Sequence, residues 1–136
     1  MSETDSAVVV LDGTEAAVYA YGLVAARLPV GSERSSALSA MAWHRSQRDS
    51  LRARITALGA TPPAAAAAYT PPFPVTDAAS ARRLAALVED RLAGQWAGLA
   101  AASSGATRTQ DGRTAQACAV RVVTWSGLAP VWNGAT

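Results

Sequence analysis

Among 136 residues the chain has no lysine, one cysteine, one histidine and one phenylalanine. Each shortage excludes something. The single cysteine, Cys118, cannot close an intramolecular disulfide, which removes stapled secreted scaffolds and suits a reducing compartment. With one histidine and one cysteine there is no zinc-binding Cys/His cluster. No glycine-rich phosphate loop and no nucleophile elbow occurs. Twelve arginines against ten acids leave a net charge of +2, too small a surplus to imply nucleic acid or an anionic membrane. A secretory leader needs a basic start and a longer apolar run than Val8–Leu11, which here follows Glu3 and Asp5. The run Ala64–Ala68 sits between prolines and is too short to span a bilayer. The expected location is cytoplasmic, with no nucleic-acid or membrane partner.

What the chain does have is alanine, about a quarter of all residues. Alanine is the best helix former and lets helices pack closely, so the composition points to an all-α fold in one domain. Four helical stretches follow from the apolar spacing. The first runs from about residue 5 to 28, with Val8, Leu11, Val18, Gly22 and Ala25 on one stripe and Val10, Ala17, Tyr21, Val24 and Leu28 on another. Two stripes predict a helix buried on two sides. Pro29-Val30-Gly31 ends it, and Ser32 is the expected cap of a second helix, about 32–58, with Met41, Leu51, Ile55 and Leu58 inward and Gly59 as its stop. The third, about 77–102, opens at Thr76 or Asp77 and turns Leu84, Leu87, Val88, Leu92, Trp96 and Leu99 inward. Thr107-x-x-Gln110 reads as a capping box for the fourth, about 107–126, which carries Ala115, Cys118, Val122 and Trp125. Gly112 weakens the start of that helix, and the apolar tail Leu128–Trp132 is expected to fold back on the bundle.

Loop lengths set the topology. Connections of about four residues force helices one and two, and three and four, into antiparallel hairpins. A helix of 26 residues is about 39 Å long at 1.5 Å per residue. The eighteen residues 59–76, rich in proline, reach about 55 Å when extended at about 3.1 Å each. That linker can cross the whole bundle and leave helices two and three parallel. Two hairpins joined by one long crossover make a ferritin-like four-helix bundle.

The segments Glu15-Ala-Ala-Val-Tyr-Ala-Tyr-Gly22, His44-Arg45, Leu58-Gly-Ala-Thr-Pro-Pro63 and Tyr69-Thr-Pro-Pro-Phe-Pro-Val75 resemble a family of alanine-rich, ferritin-like domains of unknown function from GC-rich bacteria. The resemblance covers nearly the whole chain and departs at Ala16, where a histidine is expected after Glu15. It implies a fold and no particular activity.

Heights along these helices bring five polar residues to one level: Glu15, His44, Arg48, Glu89 and Arg121. A ferritin-like di-metal site needs about four carboxylates and two imidazoles, supplied as a lone Glu on each of two helices and Glu-x-x-His on the other two. Glu15, His44 and Glu89 match part of that set. Met41 stands where the second helix needs its glutamate, and the fourth helix has neither glutamate nor histidine. Two arginines at the same height oppose Fe²⁺ or Mn²⁺. The expected arrangement is a charge-compensated buried network without metal, with Glu15, His44 and Glu89 as the ligands of the alternative, metal-binding or oxidase-type reading.

Cys118 is expected as a small buried hydrophobe, and Tyr19, Tyr21, Trp43 and Trp96 as core or interface anchors. Arg45, Arg48 and Arg52 read as a solvated or salt-bridged face. The functional expectation is a non-enzymatic structural or interaction module, associating as a homodimer through its surplus apolar surface. A binder of a small apolar molecule, using a gap lined by alanine, Met41 and the aromatics, is the third reading.

Overall fold

A computed structural model describes residues 1–127, and the expected docking of Leu128–Trp132 lies outside them. The described residues form four helices and no strand: α1 Glu3–Arg27, α2 Ser32–Ala57, α3 Ala78–Ala102 and α4 Gly105–Ser126.

Each helix start and stop has a local cause. Ser2 caps α1, its side chain accepting from the Asp5 N–H at 3.0 Å, and Glu3 and Asp5 favour the positive end of the helix dipole. Leu28 is extended ahead of Pro29, as a residue before proline prefers. The expected cap at Ser32 does not form. Gly31, at φ +150°, makes the turn instead, and Ser32 is already helical. At the other end Ala60 N–H bonds Ile55 C=O at 3.1 Å and Gly59 N–H bonds Thr56 C=O at 3.0 Å, the paired closure of a Schellman stop, with Gly59 at φ +88°. Asp77 opens α3 in a reciprocal capping box with Ser80. The capping box expected at Thr107 and Gln110 is absent, because α4 begins earlier, after Ser104, and both residues lie inside it. Arg108 explains the tight turn: its guanidinium donates to the carbonyls of Ala100, Ala101 and Ser103, which end α3.

Three cross-links at three heights fix the directions. Near the starts of α2 and α3, Arg82 pairs with Glu33 at 2.6 Å. Midway, His44 meets Glu89 at 2.9 Å. Near their ends, Arg54 of α2 holds Asp111 at 2.8 Å, and Asp111 accepts from Ser103, the residue capping α3. Helices α2 and α3 therefore run parallel. Arg54 also pairs with Glu3 at 3.2 Å, so α1 is antiparallel to α2. The molecule is two antiparallel hairpins joined by a crossover along the bundle.

Helix α1 packs against both α2 and α3, and α3 packs in turn against α4. By length and composition α1 would pass for a membrane span, yet Ala7, Val10, Leu11, Ala17, Tyr21 and Val24 are buried between its neighbours. Of the two stripes expected on α1, the one through Val10, Ala17, Tyr21 and Val24 is in the core. Of the other, Leu11 and Ala25 are buried as well, Val8 and Val18 are partly covered, and Gly22 is exposed. The linker is tied down at intervals. Arg52 donates to the Pro63 carbonyl at 3.0 Å, the Tyr69 ring meets Tyr19 edge-on, and Arg83 stacks over Phe73 at 4.1 Å.

Candidate functional site

Helical phase decides which polar residues reach the middle of the bundle. On α1 the inward positions near mid-height are Thr14, Ala17 and Tyr21; on α2, Ala40 and His44; on α3, Val88, Glu89 and Leu92. His44 and Glu89 are completely buried. The Glu89 carboxylate is the hub. Its Oε2 accepts from the Tyr21 hydroxyl and from His44 Nε2 at 2.9 Å, and Arg121 Nε of α4 lies 4.0 Å away. Tyr21 in turn accepts from Trp125 Nε1 at 3.0 Å. All four helices thus contribute to one chain of polar contacts.

Aromatic rings enclose it. His44 stacks on Tyr21 with centroids 5.6 Å apart and meets Trp43 edge-on at 4.9 Å. The Arg121 guanidinium covers the Trp43 ring at 4.1 Å, so the cation that answers Glu89 is itself held against a π face. Burial, the negative charge of Glu89 and the hydrogen bond to it drive the Tyr21 hydroxyl far above its ordinary pKa, which keeps it a donor. Burial first, then Glu89, pushes the Cys118 thiol up as well. A thiol so placed is protonated and inert as a nucleophile.

Of the five residues expected at this level, three come together: His44, Glu89 and Arg121. Glu15 and Arg48 do not. Glu15 follows the buried Thr14 by one residue, about 100° around the helix, and pairs with Arg52 at 3.5 Å on the flank of the bundle. Arg48 lies one turn beyond His44, but its side chain is 30% exposed and bonds Asp49 at 3.1 Å. A long arginine can leave the apolar face it starts from and carry its charge to water. Tyr21, Trp43 and Trp125 are the members that the sequence reading placed only among core aromatics. Their signal was present, since Tyr and Trp carry a polar tip that needs a partner when buried.

The donor set does not suit a ferritin-like di-metal centre. Among the described residues no three His, Cys, Asp or Glu side chains converge. Glu89 Oε2 is already engaged, α1 supplies Tyr21 in place of a carboxylate, and α4 supplies a cation. The alternative ligand set of Glu15, His44 and Glu89 is not assembled, because Glu15 faces the flank.

A second polar group closes the far end of the bundle. Arg54 bonds both oxygens of Asp111, at 2.8 and 2.9 Å, while also reaching Glu3, and Ser103 donates to Asp111 at 2.8 Å. The hydrogen bonds to Asp111 hold Arg54 more strongly protonated than usual.

With the fold and the polar centre defined, the chain can be placed. It belongs to the DUF4439 family, a domain of unknown function, whose model matches residues 7–132. It is similar to the crystal structure of a conserved hypothetical protein from Mycobacterium tuberculosis, at 31% identity and a TM-score of 0.85, over 93% of this chain and 96% of that one. No curated protein matches it.

Proposed function

We propose that this domain is a non-enzymatic ferritin-like module in which an internal hydrogen-bonded network stands at the height where such bundles carry metal. One observation carries the reading: a single oxygen of Glu89 gathers Tyr21, His44 and Arg121. A carboxylate so engaged offers a divalent cation too few ligands, and the arginine beside it repels one. Access supports the same view. His44 and Glu89 are completely buried, and three hollows along the described residues are lined by other side chains. Catalysis needs a group within hydrogen-bond reach of a substrate, and this cluster is walled in by rings.

An interaction role is the matching biological reading, in a cytoplasmic setting and as a homodimer. Val9, Leu38 and Val120 are large apolar side chains left at the surface for such a contact.

Elemental analysis of protein expressed with supplemental iron and manganese tests the proposal. The expected result is well under one metal per chain, with a thermal midpoint unchanged by chelator. One or more Fe or Mn per chain, lost on His44→Ala, overturns it.

A further inference from the structure

The crossover does more than connect two hairpins. Where it passes the seam between α1 and α3 it roofs a hollow of about 410 Å³. That volume lies in the range of small-ligand sites, roughly 300–1,000 Å³. Val18, Val88 and Leu92 give it an apolar floor, and Tyr19 and Tyr69 bring two rings to its edge with centroids 6.3 Å apart.

Its polar groups are mostly acceptors. Asp12 and Glu15 line it from α1 and Gln95 from α3, while Arg91 is the one cation on the wall and is solvent-exposed. Asp12 has no ion-pair partner among the described residues. Glu15 shares only Oε1 with Arg52, at 3.5 Å, and Arg52 is held more closely by the Pro63 carbonyl at 3.0 Å. Gln95 Oε1 and the Tyr69 hydroxyl are buried without a hydrogen-bond partner. Gly13 is what admits Gln95: a Cβ there would come within 2.1 Å of Gln95 Oε1 and 3.1 Å of Leu92. A glycine inside a helix thus makes room for an acceptor that nothing in the bundle uses.

We propose that this hollow binds a small organic cation with an apolar or aromatic body, an amine in chemical class. The Asp12 and Glu15 carboxylates and the Gln95 carbonyl receive the charged head. Leu92 and the tyrosine rings receive the body, an aromatic one meeting the rings edge or face. Ligand sites of this kind pair a mainly apolar lining with a few convergent polar groups, and the sign of those groups selects the ligand. The site is independent of the network around Glu89, so it stands whether or not that network excludes metal.

The test uses the full chain and three probes of like size: 2-phenylethylamine, 2-phenylethanol and 3-phenylpropionate. Titration followed by calorimetry and by amide chemical shifts should show saturable binding of the amine. The expected shifts fall on α1, α3 and residues 66–69. The alcohol and the carboxylate should bind about tenfold more weakly or less, a difference of about 1.4 kcal/mol. Glu15→Gln and Asp12→Asn keep shape and remove charge, and each should weaken the amine alone, with circular dichroism confirming an intact fold. Equal binding of the carboxylate, amine binding indifferent to both substitutions, or no amine binding at millimolar concentration each overturns the proposal.

Discussion

The bundle contains two buried carboxylates answered by arginine, and they are built differently. At the end of the bundle Asp111 uses both oxygens: Arg54 grips them in a fork, Ser103 adds a third bond, and Arg54 retains Glu3 and some contact with water. In the middle Glu89 loads one oxygen with two donors, keeps its arginine at 4.0 Å, and leaves Oε1 without a partner. The first is an economical clamp between α2, α3 and α4. In the second the carboxylate is fully desolvated and only partly satisfied, an arrangement that adds little net stability yet is costly to disturb. Both carboxylates are buried and both arginines keep some solvent, so the number and closeness of the partners sets what each is worth.

Glu89→Ala should have the largest effect. It leaves the fully buried His44 and Tyr21 without their acceptor and takes the facing charge from Arg121, so urea unfolding should report a loss of about 3–5 kcal/mol. Combining Glu89→Met with Arg121→Met removes both charges, and the double variant should recover much of that loss. Asp111→Ala comes next, at about 1.5–3 kcal/mol, because Arg54 keeps Glu3 as a second partner. A loss equal to that of Glu89→Ala would show that the partner Arg54 retains is not the deciding difference.

Raising the pH sharpens the comparison from another side. The Cys118 thiol and the Tyr21 hydroxyl are both raised above their ordinary values of 9.0 and 10.0. Unfolding therefore releases protons in alkaline solution, so their contribution is complete below pH 9 and is lost as pH climbs beyond it. At one pH unit above the unfolded thiol value, Cys118 alone costs about 1.4 kcal/mol of stability. Cys118→Ala should flatten that first part of the decline, and the native thiol should resist alkylation at pH 8. The end clamp, built from a carboxylate and a guanidinium, should contribute nothing to this alkaline slope. The smallest effect belongs to the exposed pair Glu33–Arg82, where Arg82→Ala should leave the urea midpoint unchanged within error.

Topology was legible because chain length is a hard constraint: the 59–76 linker is long enough to cross the bundle, and the turns at 28–31 and 103–104 are not. Helix phase was legible to within one residue, and that margin decided the site. Thr14 and Glu15 are adjacent, yet one is buried in the core and the other pairs on the flank. Height arithmetic places residues along an axis and says nothing of their azimuth, which is why Glu15 and Arg48 joined His44, Glu89 and Arg121 in the expectation. Tyr21 was hidden by its own hydrophobicity. The Arg54–Asp111 clamp was hidden because it joins helices that do not share a hairpin, so no local spacing announces it.

The isolated carboxylate in the middle has one further consequence, for how the two hairpins find each other. Their buried faces are rich in alanine, including Ala7, Ala17 and Ala20 of α1 and Ala81 and Ala85 of α3. Side chains this small and alike look much the same one turn up or down, so shape alone discriminates poorly between the native docking and a slip of about 5.4 Å. Glu89 breaks that degeneracy. Displaced by a turn it loses Tyr21 and His44 together and keeps its desolvation cost, which makes every wrong alignment poorer than the right one. A charge of little value to stability thereby acts as the index mark by which an otherwise featureless pair of surfaces is aligned.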